Sequence, residues 1–140
     1  MKRFAPILSL LALLSFLLPL AVQAGEIQGS QMKEFLETTT PEERAQMQTD
    51  QLADFLKLSS EQTEKLKTVN LDHAKRMEEI FKSQGKRFQK FKQARELKSQ
   101  KEEKYQEILT PDQWNQYEKK REEMRRELKQ IIQERRNSQS

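Results

Sequence analysis

Beyond residue 40 the apolar positions are few, and they recur in steps of three and four, the spacing that gathers them on one side of a helix. Trp114, Tyr117, Arg121, Met124, Leu128, Ile131 and Arg135 form one such seam, coiled-coil-like but with charged interruptions. Leu66, Val69, His73, Met77, Ile80 and Gln84 form a second, which Phe88, Phe91 and Ala94 extend, and Leu97, Lys101, Tyr105 and Ile108 continue it more weakly. Apolar and polar residues seldom alternate, and residues 25–140 contain one Val and five Ile among abundant Glu, Gln, Lys, Arg, Leu, Met and Ala, so helices are expected and strands are not.

Three helix starts are written into the chain by one device. Thr40-Pro41-Glu42-Glu43, Ser59-Ser60-Glu61-Gln62 and Thr110-Pro111-Asp112-Gln113 each read as a capping box. In such a box the hydroxyl accepts from the amide three residues on, and the Glu or Gln there reaches back to the cap's own amide. Pro41 and Pro111 fall at the first helical position, where a missing amide proton costs nothing. Glu42, Glu61 and Asp112 face the positive end of the helix dipole. Leu109 and Trp114 have the spacing of a hydrophobic staple around the third cap. Exposed pairs are expected at Glu61 with Lys65, Glu78 with Lys82 and Glu122 with Arg126.

Gly85 interrupts the stretch between the second and third caps. Two readings stand: a tight turn at Ser83-Gln84-Gly85-Lys86, with Gly85 suited to a helix C-terminal cap, or one long bent helix. Residues 25–39 carry no clear stripe, with Met32, Phe35 and Leu36 placed for one loose turn. Stripes this narrow bury little in a monomer. The fold class expected is all-α, with three to four long amphipathic helices in an open, thin hairpin or cradle that a dimer would complete.

The N-terminus has a different character. Lys2 and Arg3 precede an apolar run from Ile7 to Leu18, and Ala21-Val22-Gln23-Ala24 supplies small residues, so residues 1–24 read as a secretory signal peptide cut before Gly25. An uncleaved membrane anchor is the alternative, against which Pro19 and the Val-Gln-Ala ending argue. The division expected is residues 1–24 as signal peptide, 25–39 as a flexible segment, 40–136 as the helical domain and 137–140 as a frayed tail, with no stable membrane insertion after cleavage.

Composition sharpens this picture. Residues 1–24 hold 17 of the chain's 48 apolar residues, leaving 31 among the other 116, too few for a deep enzyme core. With no Cys, there is no disulfide scaffold, thiolate chemistry or Cys zinc site. Charge is unevenly distributed: residues 82–95 carry Lys82, Lys86, Arg87, Lys90, Lys92 and Arg95 with no acid, whereas residues 25–57 carry seven acids and three bases. Phe81, Phe88 and Phe91 interleave the basic segment. Such a patch suits nucleic acid, an anionic membrane or a partly unfolded anionic protein, and export makes nucleic acid a poor fit. The plainer alternative makes the phenylalanines core and the bases a solvated face drawn to the acidic first helix.

Catalytic and metal chemistry find little material. His73 is the one histidine and lies on an apolar stripe, adjacent Glu102 and Glu103 diverge around a helix, and Gly25, Gly29 and Gly85 make no phosphate loop. No catalytic residue, metal ligand or cofactor is expected, and no enzyme activity.

Leu58-Ser59-Ser60-Glu61-Gln62 and Leu109-Thr110-Pro111-Asp112-Gln113 resemble the paired Leu-Thr-x-x-Gln motifs of the Spy and CpxP family of periplasmic proteins. Thr40-Pro41-Glu42-Glu43-Arg44 through Leu56, and Val69-Asn70-Leu71, are likewise similar to small members, so that the resemblance spans residues 40 to 136. It implies a curved, all-helical, antiparallel homodimer in the periplasm, acting as an ATP-independent chaperone or as a stress-responsive modulator of an envelope sensor kinase. It also implies that Leu58, Ser59, Gln62, Leu109, Thr110 and Gln113 organise the fold without catalysing anything. Ser59 replaces the family's Thr, and the motifs stand closer together than in the best-known members. The metal-ligand residues of zinc-binding relatives have no evident match.

The leading functional expectation is therefore a client-binding protein whose surface around Phe81, Lys82, Lys86, Arg87, Phe88, Lys90, Phe91, Lys92 and Arg95 holds partly unfolded exported proteins. The alternatives are docking of the same surface on the periplasmic domain of a sensor kinase, or a structural coiled-coil protein. A Skp-like chaperone would also need a strand-rich body, for which there is no segment.

Overall fold

The computed structural model describes residue 34 and residues 36–138, and among them forms four long helices and no strand. They are α1 (Pro41–Leu56), α2 (Ser60–Lys82), α3 (Arg87–Ile108) and α4 (Pro111–Ser138). The expected signal peptide lies outside the described residues. Of the segment expected to be flexible, Glu34 and residues 36–38 are helical, with the Thr38 hydroxyl donating to the Glu34 carbonyl at 2.8 Å, and α4 runs on to Ser138, past the expected boundary at 136. No helix among the described residues is long and apolar enough to cross a membrane.

All three capping boxes form. Thr40 and Ser59 accept from the amides of Glu43 and Gln62, each at 3.1 Å, and Thr110 accepts from Gln113 at 3.3 Å. The reciprocal bonds, from the cap amides to Glu43 Oε2, Gln62 Oε1 and Gln113 Oε1, measure 2.7, 3.0 and 3.0 Å. Helix α1 closes at Lys57, which takes the left-handed conformation (φ 52°, ψ 52°) and donates its amide, as does Leu58 at 3.1 Å, to the Ala53 carbonyl.

The chain breaks between α2 and α3, as the turn reading requires, but Gly85 is not the cap. Ser83 ends α2 in extended geometry (φ −67°, ψ 155°), its hydroxyl donating to the Ile80 carbonyl at 2.7 Å. Lys86 starts α3, also extended and with no side-chain cap. A Cβ added at Gly85 would meet only ordinary contacts at 3.8 Å, so a glycine is not what the turn depends on. The expected pairs Glu61–Lys65 and Glu78–Lys82 form, the second with Glu78 largely covered, whereas Glu122 is held by Arg125, three residues on, and not by Arg126.

Helix α1 lies along α2, α2 along α3, and α4 touches both α1 and α3. Leu52 and Leu56 of α1, Leu66 of α2, Tyr105 of α3, Leu109 between α3 and α4, and Tyr117 of α4 form the main core at the end where the caps of α2 and α4 meet. Full burial of each leucine contributes about 2 kcal/mol. Trp114 packs on this cluster beside buried Leu109, consistent with the staple, and stacks on Tyr117 with centroids 5.2 Å apart. A smaller cluster of Met77, Ala94 and Leu97 lies toward the α2–α3 turn.

Between the clusters, three buried polar side chains join three helices. Asn70 Nδ2 donates to Thr49 Oγ1 at 2.9 Å, the Tyr105 hydroxyl donates to Asn70 Oδ1, and Thr49 donates back to the Ala45 carbonyl at 2.7 Å. Each of the three is completely buried. Asn70→Ala should lower the unfolding free energy in urea by about 3 kcal/mol, because it leaves the Tyr105 hydroxyl buried and unpaired. Asn70→Leu combined with Tyr105→Phe should recover about 1 kcal/mol relative to Asn70→Leu alone.

Candidate functional site

The six motif residues converge. Gln62 enters the first turn of α2 and Gln113 the first turn of α4, so their side chains meet where the two helices start. Gln62 Nε2 donates to Gln113 Oε1 at 2.7 Å, and Gln113 Nε2 donates back to Gln62 Oε1 at 3.3 Å. The remaining amide protons go to carbonyls that end helices: Gln62 to Ile108 at 3.1 Å, Gln113 to Leu56 at 3.3 Å. Each glutamine thus caps its own helix with its oxygen, and with its nitrogen caps the helix that leads into the opposite motif. Leu109 is buried and Leu58 half-buried against the main core, while Ser59 and Thr110 are exposed at the caps. Every side-chain polar atom of the pair is engaged by backbone or by its twin.

The basic segment lies at the α2–α3 turn and the adjoining helix ends. Phe88 is 76% exposed. Lys86, Arg87, Lys92 and Arg95 are exposed and make no ion pair among the described residues. Lys82 is exposed and pairs with Glu78 at 2.5 Å. Three residues of the segment instead serve the scaffold: Phe81 packs on the Met77 cluster, Phe91 is half-buried, and Lys90 Nζ donates to the Phe81 carbonyl at 2.8 Å, which closes the end of α2. The acids of α1 are not drawn to this segment. Glu42 binds Lys75 at 3.1 Å, and buried Arg44 of α1 reaches Glu78 at 2.5 Å and the Thr39 carbonyl at 2.6 Å. Lys75 beside Glu42, and Lys82 and Arg44 beside Glu78, hold both carboxyls below their usual range.

A third locus lies midway along α2 and α3, where a cleft is lined by His73, Arg76, Gln100, Lys101 and Lys104. His73 is 8% exposed, and burial, helped by Lys101, Arg76 and Lys98, pushes its pKa down to about 2. Burial likewise lowers Lys101 to about 7, with Glu102 opposing and Lys98 reinforcing the shift. The imidazole is therefore neutral at any physiological pH. Among the described residues no three His, Cys, Asp or Glu side chains gather as a metal site would need.

The Thr49–Asn70–Tyr105 junction does not follow from the apolar stripes. The signal for the junction was a polar residue in register with apolar ones: Thr49 between Ala45 and Leu52, and Asn70 between Leu66 and Ala74. Tyr105 and Lys101 were on the stripe, but spacing does not say which partners they meet.

A family model described as a domain of unknown function (DUF4890) matches residues 28–139. No curated protein and no solved structure matches the chain.

Gln62→Ala and Gln113→Ala should each destabilise by about 2 kcal/mol, and the double variant should lose about 1 kcal/mol less than their sum, since either change alone strips the other glutamine of its partner. A pH series should also find the neutral histidine. The folded chain binds fewer protons at His73 than the unfolded chain does, so stability is present above the ordinary value of 6.5 and falls as pH drops below it, by about 2 kcal/mol at pH 5. His73→Phe should flatten that acid limb of the denaturation midpoint.

Proposed function

The chain belongs to the family described as a domain of unknown function (DUF4890), and we propose that this member is an exported, ATP-independent chaperone-like protein that holds partly unfolded proteins in the periplasm. The observation that carries this reading is the α2–α3 turn, where Phe88 stands 76% exposed among cations that no acid of the segment neutralises. Of the two large apolar side chains that the described residues expose, Phe55 at 43% and Phe88, it is Phe88 that sits within the acid-free basic segment, which joins an apolar contact to a cationic surface.

The turn suits capture in two stages. Exposed lysines and arginines attract an anionic, unfolded stretch over a range of about 10 Å at 0.1 M salt. Phe88 then offers an apolar contact of about 2 kcal/mol, enough to hold a client briefly and too little to trap it. Release needs no nucleotide. Two further features support the reading: the leader-like residues 1–24, which would send the chain across the inner membrane, and the resemblance of the two Leu-Ser/Thr-x-x-Gln motifs to the Spy and CpxP family. Pairing into a homodimer would double the turns presented to one client and raise avidity without new contacts.

The protein lacking residues 1–24 should slow the aggregation of several unrelated unfolded clients at stoichiometric concentration. Neutralising Lys86, Arg87, Lys92 and Arg95 together, with Phe88→Ser, should reduce that protection at least about threefold while changing stability by no more than about 0.5 kcal/mol per site. No protection of any client by the unmodified protein would overturn the reading.

A further inference from the structure

Around the α2–α3 turn, Lys82 to Gln89 are eight consecutive exposed residues, whereas no other exposed run between Pro41 and Arg126 is longer than three. Ser83 and Lys86 hold extended backbone there, with ψ of 155° and 145°. An endoprotease takes its substrate as an extended strand, and exposed loop tips are where chains are nicked. Lys86-Arg87 places two bases side by side in this strip, next to Gly85, at which an added Cβ would meet nothing closer than 3.8 Å.

The start of α3 also gives way more easily than the others. Helices α1, α2 and α4 begin with capping boxes and an acid in the first turn. Helix α3 begins with neither, and sets Lys86, Arg87 and Lys90 at the positive end of its dipole. Phe88 and Gln89 are exposed, so opening the first turn gives up little beyond the bond from the Lys90 amide to the Lys86 carbonyl at 3.1 Å. The other joints are closed to the same attack. Lys57 lies left-handed between buried Leu56 and half-buried Leu58, its amide held by the Ala53 carbonyl, and Leu109-Thr110 carries no base. The pairs Lys119-Lys120 and Arg125-Arg126 offer the same chemistry but lie within α4.

A cut at the turn would not divide the molecule. The bonds that tie α1 and α2 to α3 and α4 run between Gln62 and Gln113, from these to the Ile108 and Leu56 carbonyls, and from Tyr105 to Asn70, all remote from the turn. The main core likewise joins leucines from one side of the cut to tyrosines from the other.

We propose that Lys86-Arg87 is a processing site for an endoprotease that cuts after paired bases, and that the product is an assembled two-chain form whose holding turn is undone. Water is split across the Arg87–Phe88 bond: its oxygen ends on the Arg87 carboxylate and its two protons on the Phe88 nitrogen, which becomes an ammonium. That ammonium lies at the positive end of the α3 dipole, so the first turn frays and Phe88 is no longer fixed beside its cations. The site stands on the turn alone; the loss of holding rests on the client-holding reading.

The protein recovered from expression of the full chain should be digested with a trace of trypsin, and separately with an endoprotease specific for paired bases. With both, the first cut between residues 41 and 126 should follow Lys86 or Arg87, ahead of any at Lys119-Lys120 or Arg125-Arg126. The pieces should leave gel filtration in one peak and keep the helical circular dichroism to within about a tenth. Lys86→Gln with Arg87→Gln should slow the paired-base enzyme at least about tenfold. The cut protein should protect an unfolded client at least about threefold less than the intact one. A first cut inside α4, pieces that separate or unfold, or equal protection by the cut and the protecting intact protein would each overturn the proposal. If the intact protein protects no client, the client reading falls, and the position of the cut with the elution of the pieces still decides the site.

Discussion

Two glutamine side chains, one in the first turn of α2 and one in the first turn of α4, set the relation of the helices to one another. Gln62 and Gln113 have their backs to their own cap amides and their faces to each other, and with their last two protons they satisfy the carbonyls of Ile108 and Leu56. Helix ends are where orphan donors and acceptors accumulate. Here four ends, those of α1 and α3 and the beginnings of α2 and α4, are gathered at one point and supply one another's partners. The main apolar core, from Leu52 to Tyr117, sits against that point, so the chain needs little apolar material to fix its architecture.

The same economy explains why the interior is so polar. Moving away from the glutamine pair, the space between helices is filled first by Tyr105, Asn70 and Thr49, then by His73 and Lys101, and only afterwards by Met77, Ala94 and Leu97. Each polar group in the first set is satisfied, which gives register to helices whose apolar stripes alone would slide. The second set keeps His73 neutral and lays Lys101 over the Tyr105 ring, so the middle of the α2–α3 hairpin is where acid acts on the fold.

Much of this was legible in the residues. Thr40, Ser59 and Thr110 announce their helices because capping is local chemistry, set by residues three apart. The stripes through Leu66, Met77, Leu97 and Tyr105 gave the buried faces correctly for the same reason. What escaped were the long-range facts: that Gln62 and Gln113 bond to each other, that Asn70 bridges Thr49 and Tyr105, that Phe81 and Lys90 serve the scaffold while Phe88 does not. Spacing assigns a residue to a face but not to a partner. Gly85 misled for a different reason, since Ser83 ended the helix with its own hydroxyl and the glycine's freedom was not needed.

The scaffold is locked at one end and carries Phe88 with its cations near the other, so that changes at Lys86, Arg87, Phe88, Lys92 and Arg95 should leave the fold intact, as the client-holding proposal requires. The lock itself is the claim on which the rest stands. Native-state hydrogen exchange measures it directly: the segments around Ser59–Gln62 and Thr110–Gln113 should be among the slowest to exchange and should open together with one free energy, well above that of residues 82–92. Independent opening of the two motifs, at different free energies, would contradict the account.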